Sequence, residues 1–129
     1  MLDLDIPAVR AEVEAAFAHY EAALQTNDIA TLNALFRDAA ETIRYGVAEN
    51  LYGHDEIAAF RGARSPAGLV RQLARTVITT YGRDAAVAST LFRRSTAPGK
   101  LGRQMQTWIR FPEGWQIVAA HVSLIDEEA

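Results

Sequence analysis

The sequence has no cysteine, which excludes disulfides, thiolate nucleophiles and any cysteine-ligated metal centre. Lysine is almost absent as well. Lys100 is the only one, so positive charge resides in arginines, whose fixed forks favour paired recognition over loose solvation. No run approaches the roughly 18–20 uncharged apolar residues that a membrane span needs. The opening Met1-Leu2-Asp3-Leu4-Asp5 is acidic and lacks the basic and apolar regions of a secretory signal, so a bacterial-type cytoplasmic location is expected. The histidines His19, His54 and His121 show no metal-ligand spacing. No GxGxxG or GxxxxGK[ST] phosphate loop and no GxSxG nucleophile elbow occurs. Chemistry on this chain is therefore expected to need no cofactor and no metal, and to use tyrosine, arginine, amides and His121.

What is present is enough apolar material for one core: half of the 129 residues are hydrophobic. We read residues 1–129 as a single domain, with no linker, internal repeat or low-complexity tract. The net charge of −3 conceals an asymmetry. Residues 1–60 carry eleven acids against three arginines, whereas residues 61–129 carry ten bases against five acids. A basic half can signal nucleic acid, but these arginines are scattered over several segments without interleaved aromatics. Mutual pairing of the two halves is the simpler expectation, with neither nucleic acid nor a membrane as partner.

Val9, Val13, Phe17, Tyr20 and Leu24 recur at steps of three and four, one apolar stripe on a helix over 7–25, with Asp5 and Pro7 suited to its cap and first turn. Asn27-Asp28 breaks that run, and Asp28 is placed to cap a short helix whose Ile29, Leu32, Leu35 and Phe36 face inward. A third short helix is expected from about Asp55 to Arg61, with Ile57 and Phe60 on its apolar side. Between the helices, residues 40–47 read as a short strand. From Val70 the period changes to two: residues 70–81, 85–94, 101–111 and 115–125 read as strands separated by turn chemistry at Gly82-Arg-Asp84, Ala97-Pro-Gly-Lys100 and Pro112-Glu-Gly114. Separators this short make antiparallel neighbours, hence a four-strand meander. Helices first and a meander after them is an α+β order, with the helices packed on one curved antiparallel sheet.

A helix laid across a curved sheet leaves a cone whose inward polar residues define a site. Tyr20 lies on the buried stripe, and its hydroxyl needs either a backbone carbonyl or a functional partner. Arg44 lies mid-strand; it either faces outward, pairs with a structural carboxylate, or faces inward and awaits an anion. Gln104, Gln106 and Trp108 share one strand face, where two amides and an indole either supply neutral donors around a pocket or form an exposed polar face. On the last strand, alternation groups Trp115, Ile117, Ala119, His121 and Ser123 on one face. There His121 is either a satisfied core residue or a site residue. Phe92 is expected as an apolar wall beside Trp108.

Several stretches together resemble the AtzH-like family of the NTF2-like superfamily, and the likeness spans nearly the whole chain. They are Phe17-Ala-His-Tyr20-Glu-Ala-Ala-Leu24 with Asn27-Asp28, Ile43-Arg44-Tyr45-Gly46, Glu49-Asn-Leu-Tyr-Gly53, Ile57-Ala-Ala-Phe60-Arg61-Gly-Ala-Arg64, Gly102-Arg-Gln-Met-Gln-Thr-Trp108 and Gly114-Trp-Gln-Ile-Val-Ala-Ala-His121-Val-Ser-Leu124. Met105 stands where a small polar residue is expected, which touches pocket shape. The resemblance implies an NTF2-like cone and a decarboxylating amidohydrolase in cyanuric acid or related nitrogen catabolism, converting 1,3-dicarboxyurea or an analogue to allophanate. It implies Tyr20 and Arg44 as the catalytic pair. Arg44 would grip a substrate carboxylate, and Gln104, Gln106, Trp108, His121 and Phe92 would line the pocket. It also implies a functional link to an amidase. The alternative is a non-catalytic module of the same fold that binds a small acid or an amidase. An isomerase or dehydratase would want an inward acid beside His121, and the strands offer none. The apolar and arginine-rich outer sheet face leads us to expect a homodimer or an assembly of dimers.

Overall fold

The computed structural model describes residues 2–127. Helix α1 (Pro7–Gln25) buries Val9, Val13, Phe17, Tyr20 and Leu24, the stripe that its periodicity predicts. Pro7 occupies its first turn, where a missing N–H costs nothing. Asp5 does not cap it: the preceding residue is Ile6, and Asp5 Oδ1 instead accepts from the Thr80 amide at 2.9 Å. The chain leaves α1 through Asn27, which takes a left-handed conformation (φ 52°). Asp28 then caps α2 (Ile29–Leu35), accepting from the Thr31 amide at 3.2 Å and its hydroxyl at 2.6 Å. These bonds to its charged form hold the Asp28 carboxyl below its usual range.

Two three-residue strands follow, β1 (Ile43–Tyr45) and β2 (Asn50–Tyr52), and then α3 (His54–Ala63). The remainder is the meander β3 (Gln72–Tyr81), β4 (Ala85–Arg93), β5 (Lys100–Phe111) and β6 (Gly114–Asp126). The sheet order is β2-β1-β6-β5-β4-β3, antiparallel except where β1 runs parallel to β6. This is the three-helix, six-stranded α+β architecture of NTF2-like folds. The parallel β1–β6 contact is a product of tertiary closure. Neither strand carries a local signal for it.

Two β-bulges bend the sheet. On β3 the register slips between Ala74 and Val77, with Arg75 at φ 51°. On β6 it slips opposite Thr107 and Trp108, whose partners are Ala119 and Ile117, so Val118 is the extra residue. A bulge reverses facing beyond it. Trp115 and Ile117 are buried, but past Val118 the buried residue is Val122, and His121 is exposed. Strict alternation through residue 123 therefore fails on β6.

The core lies between α1, α2 and the concave sheet face, with Val13, Leu32, Trp108 and Ile117 fully buried. Trp115 Nε1 donates to Glu12 Oε1 at 2.8 Å and ties the sheet rim to α1. No helix among the described residues is long and apolar enough to cross a membrane.

Candidate active site

Tyr20 enters the cone from α1, 3% exposed, its ring tilted against Phe36 with centroids 6.4 Å apart. Arg44 enters from β1, where pairing with Ala120 and Leu51 turns its side chain to the helical side, and it is buried. Its Nη1 donates to Glu49 Oε1 at 2.8 Å, and its guanidinium carbon lies 5.5 Å from the Phe60 ring centroid. Arg44 thus faces inward and also holds a protein carboxylate. Gly46 permits this contact: a Cβ there would stand 1.7 Å from Glu49 Oε1.

Four further arginines reach the same interior. Arg71 is bound in two-point fashion to Glu21, with Nε–Oε2 at 3.1 Å, and its Nη2 donates to Gln104 Oε1 at 2.9 Å. Arg61 is 1% exposed, lies 4.6 Å over the Phe36 ring, and none of its three nitrogens has a hydrogen-bond partner among the described residues. Arg64 and Arg94 also present partnerless buried nitrogens. Burial pushes the Arg61 guanidinium down to about 10, with Arg44 and Arg64 adding repulsion, so it stays charged near neutrality. The Tyr20 hydroxyl beside Arg61 supports that charge, though no nitrogen of Arg61 closes a hydrogen bond of normal geometry. Burial and neighbouring arginines likewise lower Arg64 and Arg94, and Tyr20 again acts in the opposite sense on both. Five guanidinium groups here face two carboxylates, Glu21 and Glu49.

The amides complete a one-sided inventory. Arginine and indole can only donate, so Gln104 must turn its oxygen to Arg71 and Gln106 its oxygen to Trp108 Nε1, 3.1 Å away. Both amide nitrogens are left without partners among the described residues. Every partnerless polar atom of these arginines and glutamines is a donor. Such a surface suits a ligand rich in acceptors and negative charge.

Phe92 is the floor on which this charge rests. Arg71 and Arg94 lie 4.5 and 4.9 Å from its ring centroid. The ring occupies the space of the side chain that Gly102, its cross-strand partner, lacks: a Cβ there would fall 2.2 Å from the ring.

Of the sequence candidates, the fold places Tyr20, Arg44, Phe92, Gln104, Gln106 and Trp108 on the inner side. His121 is not among them. The Val118 bulge turns it to the outer face, where its ring meets Tyr45 edge-on at 6.0 Å and borders a hollow of about 250 Å³ with Arg103, Met105 and Ser123. Met105 is likewise exposed and does not shape the interior. Sequence reasoning missed Glu21, Arg61, Arg64, Arg71 and Arg94. Arg61 and Arg64 fall four and seven residues after buried Ile57, the spacing of a single helix face, and Arg94 shares the parity of Thr90 and Phe92. Pairing of the two chain halves is also slighter than their charges imply: among the described residues only Arg71–Glu21 and Arg37–Glu113 join them.

A long helix across a bulged, curved sheet, with a cationic interior around a tyrosine, defines an NTF2-like α+β fold. This fold is shared with an NTF2-like protein of unknown function from Pseudomonas putida, at 20% identity and TM-score 0.76 over 90% of this chain and 86% of that one. The AtzH-like family profile matches residues 2–128, and the chain belongs to that family. It is 59% identical, with TM-score 0.94 over 96% of both chains, to a protein of unknown function from the DUF3225 family of Pectobacterium atrosepticum. It is 49% identical, with TM-score 0.95 over 99% of this chain and all of the other, to a cystatin-like fold protein from Burkholderia xenovorans. No curated protein matches it.

Proposed function

We propose that the chain is a hydrolase acting on C–N bonds that releases CO2 from a small carboxylated urea, 1,3-dicarboxyurea or a close analogue, to give allophanate in nitrogen-compound catabolism. The observation that carries this reading is the buried Tyr20 hydroxyl set among guanidinium groups that outnumber their protein carboxylates. Only Nη1 of Arg44 engages Glu49, which leaves the rest of its fork for a substrate carboxylate. The N-carboxylate leaves as CO2, its C–N electron pair stays on nitrogen, and Tyr20 delivers the proton that nitrogen takes up. A water molecule then gives the phenolate a new proton, and the hydroxide it leaves passes to solvent; the neighbouring arginines stabilise the phenolate meanwhile.

Purified protein incubated with N-carboxylated ureas should release CO2 and allophanate. Tyr20→Phe should lower kcat by about a hundredfold or more while leaving KM within a few-fold. Turnover by Tyr20→Phe at the wild-type rate would sink the assignment. Tight binding without product from any carboxyurea would favour a small-acid receptor or a partner of an amidase. We also propose that the outer sheet face, where Val77 and Met105 are more than half exposed, seats a second copy of the chain. A purely monomeric mass by light scattering contradicts that.

A further inference from the structure

We propose that Arg61, assisted by Arg64 and Arg94, is the seat of a second ligand carboxylate, so that the cone selects small dicarboxylates over monocarboxylates. The proposal rests on the reading of this interior as a substrate site, but it concerns charge recognition and not turnover. Arg44 and Arg71 have protein counter-ions, Glu49 and Glu21. Arg61 has none among the described residues, although it is the most buried arginine of the cluster at 1% exposure. Stacking on Phe36 shields one face of its guanidinium and leaves the N–H edges as the only route to compensation. A buried cation without an anion is costly, so a fold that keeps one has a use for it outside its own stability.

The neighbours fix the charge that the ligand must carry. Arg44 and Arg64 are close enough to Arg61 to disfavour its charge, and Arg94 repels Arg44 and Arg71 in turn. One carboxylate on the free part of the Arg44 fork leaves Arg61, Arg64 and Arg94 uncompensated. A second carboxylate reaching Arg61 neutralises the most desolvated of them, with Arg64 beside Arg61 and Arg94 next to Arg64, both only partly buried. The partnerless Nε2 groups of Gln104 and Gln106 supply neutral donors for the uncharged acceptors between the two ends.

The test is calorimetric titration of the full chain with malonate and with acetate, neither of which can be turned over, beside thermal melts of the ligand-free proteins. Wild type should bind malonate at least about fiftyfold more tightly than acetate. Arg61→Gln should lose roughly a hundredfold in malonate affinity, as expected for truncating one partner of a buried charge pair, and little for acetate. Its ligand-free melting temperature should equal or exceed that of wild type, since the substitution removes an uncompensated buried cation. Arg64→Gln, one residue past the C-terminus of α3 and only partly buried, should lose about tenfold and guards against misfolding of the first variant. Undiminished malonate binding in Arg61→Gln and Arg64→Gln would overturn the proposal, as would a wild type that binds malonate no better than acetate. Malonate binding through Arg61 without turnover of any carboxyurea would sustain this proposal and refute only the enzymatic reading.

Discussion

Replacing Glu21 by glutamine removes one charge from a pair that is almost wholly out of water. The Arg71 and Glu21 side chains are 1% and 8% exposed, and two guanidinium nitrogens reach the carboxylate. Breaking one side of a buried pair costs about 3–5 kcal/mol, chiefly because the surviving charge is stranded. Glutamine keeps one acceptor for Arg71, and Gln104 Oε1 still accepts at 2.9 Å, which argues for the lower end, about 3 kcal/mol. At roughly 2.1 cal/mol/K per residue, a chain of 129 residues unfolds with an entropy near 270 cal/mol/K. The melting temperature should then fall by about 11 °C in differential scanning calorimetry. Two controls sharpen the reasoning. Glu21→Gln/Arg71→Gln should recover part of the loss, because neither charge is then stranded. Malonate at a fixed excess should raise the melting temperature of Glu21→Gln more than that of wild type, since the interior of the variant carries one more uncompensated positive charge. A fall below about 3 °C, or a double variant no more stable than the single one, would show that Arg71 is not held by charge pairing.

Gly102→Ala forces the Phe92 ring off β5 and should destabilise the fold by about 1–3 kcal/mol, read by urea denaturation. Adding Phe92→Leu should restore most of that stability but not malonate binding, because Arg71 and Arg94 lose the ring beneath them. His121→Ala should leave turnover of a carboxyurea within twofold of wild type, because the side chain stands on the outer face of the sheet. A tenfold loss there would mean that His121 reaches the reaction after all.

Most of the fold is legible in the chain because its strongest signals are local. The α1 stripe has five members at helical spacing, Asp28 stops one helix and caps the next, and each meander turn carries its own breaker residues. The short β1 is legible only in part and β2 not at all, since three residues hold too little pattern and the parallel pairing of β1 with β6 depends on closure of the whole sheet. Tyr20, Gln104 and Gln106 are recoverable from periodicity. Arg44 is not, because a three-residue strand lacks a run of alternation from which to read its facing. The cationic interior escapes sequence reasoning for a different reason. Its arginines come from β1, α3 and the segments that follow α3, precede β3 and follow β4, and nothing local shows that they converge. The charge asymmetry of the two halves is real, but much of the positive charge is gathered inside the cone and is not spent on pairing with the acidic half.

Val118 works like an extra letter in a message read in pairs. Remove it and the β6 side chains from Ala119 to Asp126 change sides: His121 and Ser123 would turn toward the arginines, while Val122 would turn toward solvent. A one-residue insertion or deletion in β6 is therefore a larger change to this site than most substitutions within it. Two chains of this architecture can share the closing Trp-Gln-Ile and His-Val-Ser words and still present opposite chemistries to their ligands. Comparing them by residue identity alone would miss the difference, and counting the letters between those words would reveal it.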